Sequence, residues 1–511
     1  MNAATGLLFP THVDVVVVGA GLSGIGAGYR LQTEHPEKTY LILEARESIG
    51  GTWDLFRYPG IRSDSDMFTL GYPFKPWLAP KAIADGRTIL GYIRETAAEF
   101  GIDRRVRLGA RVVAANWSTP EARWTLTVEV RRPEGTAQRT LTCGFLYSCA
   151  GYYRYDQAYS PVFPGTDSFA GRLVHPQFWP EDLDCSGRRV VVIGSGATAV
   201  TLVPALAASA AHVTMLQRSP SWIGAVPRRD PVADALRAIL PPWAAHRAIR
   251  SKNIAFGIAF YQFCTRAPRA ARRLLTSAVG RQLDDRSAVR EHFTPTYNPW
   301  EQRFCAAPDG DLFRAMKQGR ASVVTDQVDR FVPEGIRLAS GRTLPAEVVV
   351  TATGLQLLAF GGITPLVDGR PVDLARQFAW RGAMVSSLPN FAVCVGYTNA
   401  SWMLRADLTS RLVCKVLRFM DAHNLAAVVP RPPPGLRERP LLGLTSGYIR
   451  RSIAEFPKQG HRGPWRVHQN YLVDSVLTLR GRLGKTLDGM PRSAVRVATP
   501  DVEVEGSAAA N

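Results

Sequence analysis

Apolar residues gather along the chain in short bursts rather than long belts. Val13–Val18 is a run of β-branched residues interrupted only by Asp14, and it leads straight into Gly19-Ala20-Gly21-Leu22-Ser23-Gly24. Such a run is the pattern of a central parallel strand buried on both faces. Ile25–Gln32 then reads as a helix, and Tyr40–Leu43 as a second strand ending at Glu44, twenty residues beyond Gly24. The order strand, G-x-G-x-x-G, helix, strand, acid is that of a dinucleotide cradle. The first glycine permits the tight turn, the second lets backbone approach a pyrophosphate, and the third brings helix and strand together. Unpaired N–H groups at the helix start attract the phosphates. Glu44 can accept hydrogen bonds from a ribose diol.

The pattern recurs. Arg189–Ile193 is followed by Gly194-Ser195-Gly196-Ala197-Thr198-Ala199, then by a helix to about Leu206 and a strand His212–Leu216 that ends at Gln217-Arg218-Ser219-Pro220. Arg218 lies 24 residues after Gly194 and Glu44 lies 25 after Gly19, so the two positions read as equivalent with opposite charge. A guanidinium grips a 2′-phosphate that a carboxylate would repel, which favours NADPH over NADH at the second loop. Thr198 is read either as a donor to the pyrophosphate or as a cap of its own helix. One cradle for FAD and one for NADPH describes a flavoprotein reduced by a nicotinamide.

Two further strands, within Leu146–Gly151 and Val348–Gly354, each run into a glycine and return the chain to and from the second unit. The expected fold is therefore α/β with two Rossmann-like dinucleotide-binding domains and a helical insertion. The FAD domain takes residues 1–155 and 350–495, the NADP domain 156–349, and the helical insertion about 225–295. A disordered tail is expected over 496–511.

Composition narrows the class. At 511 residues the chain is too long for one ordinary core, and its 46% apolar content is ample for folded domains. It has no apolar run long enough to span a bilayer and no basic start typical of a secretory signal. The seven cysteines include no Cys-x-x-Cys, which suggests reduced thiols in a cytoplasmic protein and no redox dithiol beside the flavin. The nine histidines do not cluster at ligand spacing, so no metal is expected. The formal charge of +19 is spread along the chain without a nucleic-acid motif; anionic cofactors or an anionic membrane surface are the expected partners.

Between the loops lies Phe169-Ala170-Gly171-Arg172-Leu173-Val174-His175-Pro176-Gln177-Phe178-Trp179-Pro180. Its spacing, F-x-G-x-x-x-H-x-x-x-W-P, resembles the fingerprint of the Baeyer–Villiger monooxygenases, within the class B flavin-dependent monooxygenases. Gly50-Gly51-Thr52-Trp53 and Tyr58-Pro59-Gly60 through Asp64 are similar to a second segment of that family. "SDSDMFTLGYPFKPW", "YNPWEQRFCAAPDGDLF" and "GYTNASWMLRADLTSR" resemble the subgroup that includes the ethionamide-activating monooxygenase. The resemblance covers most of residues 12–475.

The resemblance implies an FAD-containing, NADPH-dependent enzyme that forms a C4a-peroxyflavin and inserts one oxygen atom of O2 into ketones, with S-oxygenation alongside. It makes Arg303 the active-site cation, with Gln302 where the family usually has lysine, and Asp64 the acid that holds it. His175 is the third catalytic candidate, as a general base or as a linker residue. Cofactor contacts are expected from Gly19, Gly21, Ser23, Gly24, Glu44, Gly51, Thr52, Trp53 and Asp64 on the FAD side. On the NADP side they are expected from Gly194, Gly196, Ala197, Thr198, Arg218 and Ser219.

Other readings stay open: an N- or S-hydroxylating monooxygenase without ketone activity, an NADPH oxidase or reductase, and a protein that binds membrane or nucleic acid through its charge. Lys252–Arg273 joins an apolar stretch to several cations. It reads either as a helical lid over the substrate pocket, the favoured reading, or as an interfacial helix facing anionic lipid. Substrate preference and oligomeric state are not written in any motif.

Overall fold

In the computed structural model, residues 9–496 are described. Of the tail expected over 496–511, all but Arg496 lies outside the described residues.

Two sheets organise the chain, the first mixed and the second all parallel. In the first, His12–Val18 pairs in parallel with Tyr40–Leu43 on one side and with the long strand Gly135–Ser148 on the other. Phe391–Val393 adds a further parallel strand beside Gly135–Ser148, so residues from far along the chain complete this sheet. Ala110–Ser118 and Arg123–Arg132 extend it as an antiparallel meander. Val15, Val16 and Val17 are fully buried, as a strand covered on both faces requires. The helix Leu22–Glu34 packs on one face, against the long helix Trp402–Ala422.

The second sheet has five strands, all parallel: Ala321–Thr325, His212–Gln217, Arg189–Ile193, Val348–Thr351 and Arg172–Val174 in spatial order. Its helix, Ala197–Leu206, starts immediately after the second glycine loop. The chain passes between the sheets twice, once after Ser148 and once after Thr351.

The segment expected as a helical insertion forms helices Pro231–Ile239, Pro242–Arg266, Pro268–Gly280 and Arg286–His292. Its destination corrects the lid reading. No residue from 225 to 295 lines the cleft onto which the two glycine loops open. Ala233, Ala245 and Ile249 instead join the core beneath the first sheet, while Val279, Leu283 and Val289 join the core of the second. Arg250 fixes this course: its buried guanidinium donates to the carbonyls of Phe68 at 2.7 Å and Gly71 at 3.0 Å. The segment therefore straps the two units together. Nor is the apolar side of Pro242–Arg266 buried throughout, since Phe256 is 71% exposed.

Candidate functional site

Both glycine loops lie at the carboxyl ends of their strands, where ligands of open α/β sheets bind. The loops are built alike. The Gly19 N–H donates to the Leu43 carbonyl at 2.7 Å, and the Gly194 N–H to the Leu216 carbonyl at 2.8 Å. A Cβ on Gly24 would stand 1.8 Å from the Gly19 carbonyl oxygen, so the third glycine is demanded by packing within the protein. A Cβ on Gly196 would meet nothing within 4 Å. That space opens on the cleft. Gly21 and Gly196 cap the two helices without side-chain help, which leaves their first N–H groups free for an anion.

The two loops open on a single cleft of ≈ 980 Å³. It brings together Gly19, Gly21, Ser23, Glu44, Gly51, Thr52, Trp53, Asp64, Gly194, Gly196, Ala197, Thr198, Arg218, Ser219 and Arg303. Among the expected site residues, Gly24 and His175 do not line it. Gly24 lies beneath its own loop.

Glu44 is buried at the end of its strand. Its carboxylate accepts from the Ala20 N–H at 2.7 Å and the Arg46 N–H at 2.9 Å. Burial raises its pKa, against the opposing pull of these two N–H groups. Each oxygen keeps a lone pair for a hydroxyl. The Ser23 hydroxyl accepts from the Trp402 indole at 2.8 Å, and the Thr52 and Tyr155 hydroxyls lie 3.1 Å apart. Arg46 and Arg62 both border the cleft, and each holds a buried Nε with no partner among the described residues. Unpaired donors of this kind, uncapped helix starts and empty space over Gly196 fit a pair of phosphate-rich nucleotides.

Strand register corrects one sequence inference. Leu43 pairs with Val18 and Leu216 with Ile193, each residue just before its loop's first glycine. Glu44 therefore corresponds to Gln217, and Arg218 stands one place further on. Gln217 remains in the strand, paired with Thr325, and its buried amide donates to the His292 carbonyl at 2.8 Å. The extra strand residue carries Arg218 to the surface of the cleft. Arg218 is exposed there, and no carboxylate pairs with it among the described residues. Ser195 secures the turn beside it, donating to the Ser219 carbonyl at 3.1 Å.

Asp64 and Arg303 meet across the cleft although 239 positions separate them in the sequence. The Arg303 Nε lies 3.7 Å from an Asp64 carboxylate oxygen, with the side chains 36% and 13% exposed. Burial raises the Asp64 pKa, and the charges of Arg303 and Arg62 oppose that rise. For Arg303, burial favours the neutral form, but the Asp64 carboxylate outweighs it and holds the guanidinium charged. Arg62 is itself pinned by the Asp311 carboxylate.

His175 stands beside the cleft, in a small hollow shared with Tyr58, Thr198 and Gly354. Its Nδ1 accepts from the Gln177 N–H at 3.1 Å, which puts the proton of the neutral ring on Nε2. Burial lowers its pKa, and Nε2 is buried without a partner.

Several lining residues carried no signal in the sequence. Tyr448 and Arg451 reach the cleft from the helix Gly447–Ser452, and the Arg451 guanidinium stacks 3.3 Å from the Tyr159 ring centroid. No local motif marks this contact. Arg46, two residues past Glu44, could have been noticed as a second cation flanking a nucleotide. All seven cysteines are free and buried.

The chain is similar to known proteins along nearly its whole length. The family described as Flavin-binding monooxygenase-like matches residues 66–229, and the NAD(P)-binding Rossmann-like domain matches residues 17–77. The FAD-containing monooxygenase EthA of Mycobacterium tuberculosis is 54% identical over 474 residues, 92% of this chain and 96% of that protein. EthA of Mycolicibacterium smegmatis is 51% identical over 465 residues, 91% of this chain and 94% of that one. Among solved structures, an oxidized steroid monooxygenase bound to NADP superposes with a TM-score of 0.74 at 21% identity, covering 94% of this chain and all of that one. A cyclohexanone-bound cyclohexanone monooxygenase gives a TM-score of 0.69 at 20% identity, covering 82% of this chain and 89% of that one.

Proposed function

The chain belongs to the family of FAD-containing, flavin-binding monooxygenase-like enzymes, and from that premise we propose that it uses NADPH and molecular oxygen to oxygenate small hydrophobic ketones and sulfur compounds. A ketone would gain one oxygen atom beside its carbonyl to give an ester or lactone; a sulfide would become a sulfoxide. The observation that carries this reading is the pairing of Arg303 with Asp64 in the one cleft onto which both glycine loops open.

FAD, when bound, supplies the activation of oxygen. The chain's own groups do the rest. The free N–H groups after Gly21 and the Glu44 carboxylate hold the flavin nucleotide by its phosphates and ribose, with Gly51, Thr52 and Trp53 alongside. The N–H groups after Gly196 hold the pyrophosphate of NADPH, assisted by Ala197 and Thr198, while Arg218 and Ser219 receive its 2′-phosphate. Arg303 presents a fixed positive charge where oxygen turns negative during attack, and Asp64 keeps that guanidinium aimed. The buried ring of Tyr152 and the half-buried ring of Tyr448 border the same place and narrow the room for water there. His175 acts on the position of the NADPH loop through the hollow it shares with Thr198.

Arg218→Ala raises the KM for NADPH about ten- to hundredfold and leaves that for NADH unchanged, the loss of one charge-assisted contact to a phosphate. Equal changes for both nucleotides would remove the assignment. A panel of simple ketones and sulfides, with product identification and NADPH consumption, tests the reaction itself. Sulfoxide without any ester would point to a hydroxylating enzyme, and hydrogen peroxide alone to an oxidase.

A further inference from the structure

The helix Tyr471–Arg480 is built inside out. Its polar residues Asp474 and Thr478 are buried, and its apolar residues face water: Leu472 is 58% exposed, Val476 56% and Leu479 45%, with Val473 and Leu477 beside them. The spacing 472, 476, 479 makes one continuous stripe. Ordinary surface helices show the reverse arrangement.

The helix cannot roll to hide this stripe. Asp474 accepts the Arg405 guanidinium at 2.8 Å and the Tyr397 hydroxyl at 2.7 Å, both within the core. The Lys415 ammonium donates to the carbonyls of Thr478 at 3.1 Å and Gly481 at 2.9 Å at the far end. Rolling would strand a buried charge pair.

The surroundings are cationic. From Phe456 to Leu487 the sole acidic residue is Asp474, already buried and paired. Arg462, Arg466, Arg480, Arg482 and Lys485 are exposed, and none pairs with a carboxylate among the described residues. No helix among the described residues is long and apolar enough to cross a membrane.

We propose that this face docks on an anionic phospholipid surface, the Leu472–Val476–Leu479 stripe entering the headgroup boundary while the flanking arginines meet lipid phosphates. A second copy of the chain is a poor occupant. A two-fold contact through the same face would set Arg480 and Arg482 against their own images. The docking face stands independently of the proposed reaction.

The test uses the full-length, FAD-loaded protein in co-sedimentation with phosphatidylcholine vesicles, with and without phosphatidylglycerol. Binding is expected only to the anionic vesicles and weakens as salt rises. The double variant Val476→Asp/Leu479→Asp lowers the bound fraction about tenfold or more, and Arg480→Glu/Arg482→Glu does the same. FAD content and NADPH oxidation in solution stay at their original values in both, which separates lost docking from lost folding. Absent binding, equal binding to both vesicles, or full binding by the first double variant overturns the proposal. So does loss of binding confined to Phe256→Asp, which would move the contact to the helix Pro242–Arg266. A dimer in light scattering that Val476→Asp/Leu479→Asp splits would give the face to a second copy instead.

Discussion

Replacing Arg303 by alanine lowers product formation by about two to three orders of magnitude while flavin bleaching by NADPH stays within about threefold of its original rate. The asymmetry follows from where the guanidinium sits. It faces the cleft beside Asp64, remote from both glycine loops in sequence and held charged by that carboxylate. A cation so placed acts on negative charge that develops as oxygen is transferred, and little of that charge exists while the nucleotides bind. Gln302 precedes Arg303, so no second cation of that pair can substitute. NADPH oxidation continues in the variant, uncoupled from product. Ester or sulfoxide made at the original rate would remove Arg303 from the chemistry.

Two glycine substitutions should separate the cradles. Gly24→Ala forces a methyl group against the Gly19 carbonyl oxygen, 1.8 Å away in the present geometry. Backbone cannot yield as a flexible side chain would, so the helix Leu22–Glu34 must lift from its strand. The lift costs about 1–3 kcal/mol or more and misplaces the N–H groups that face the flavin pyrophosphate. The variant binds added FAD about tenfold or more weakly than the parent, since each 1.4 kcal/mol is tenfold in affinity. Gly196→Ala is the contrasting case. Its methyl group enters open space, so the fold and the FAD content are unchanged, yet the KM for NADPH rises about tenfold or more because the methyl occupies room the pyrophosphate needs. Absorbance at the flavin band, read beside melting temperature, checks both. Unchanged FAD affinity in Gly24→Ala, or normal NADPH kinetics in Gly196→Ala, would contradict the assignment of the loops.

The cradles were legible because each depends on neighbours in sequence. A run such as Val13–Val18 states its own burial, and three glycines at fixed spacing state the turn. Counting residues was a poorer guide to register. The strand His212–Gln217 runs one residue further than the matching Tyr40–Leu43 before the chain turns, and that extra residue separates Arg218 from the position of Glu44. Contacts that close over long separations left no local trace. Arg451 on Tyr159, and Tyr448 near Arg303, arise only when the C-terminal portion folds back. The amphipathic signal of Lys252–Arg273 said that some face was covered, without saying by what; Arg250 on the Phe68 and Gly71 carbonyls decided that. The helix Tyr471–Arg480 inverts the rule used to read such signals, because Arg405 and Tyr397 draw its polar side inward.

The central claim is that one cleft joins a nicotinamide-reduced flavin to the transfer of one oxygen atom. Turnover under isotopically heavy dioxygen with a simple aliphatic ketone or sulfide measures it directly. The account predicts one heavy atom in each ester or sulfoxide and one NADPH consumed per product. NADPH consumption that yields heavy hydrogen peroxide and leaves every tested ketone and sulfide unlabelled would contradict it.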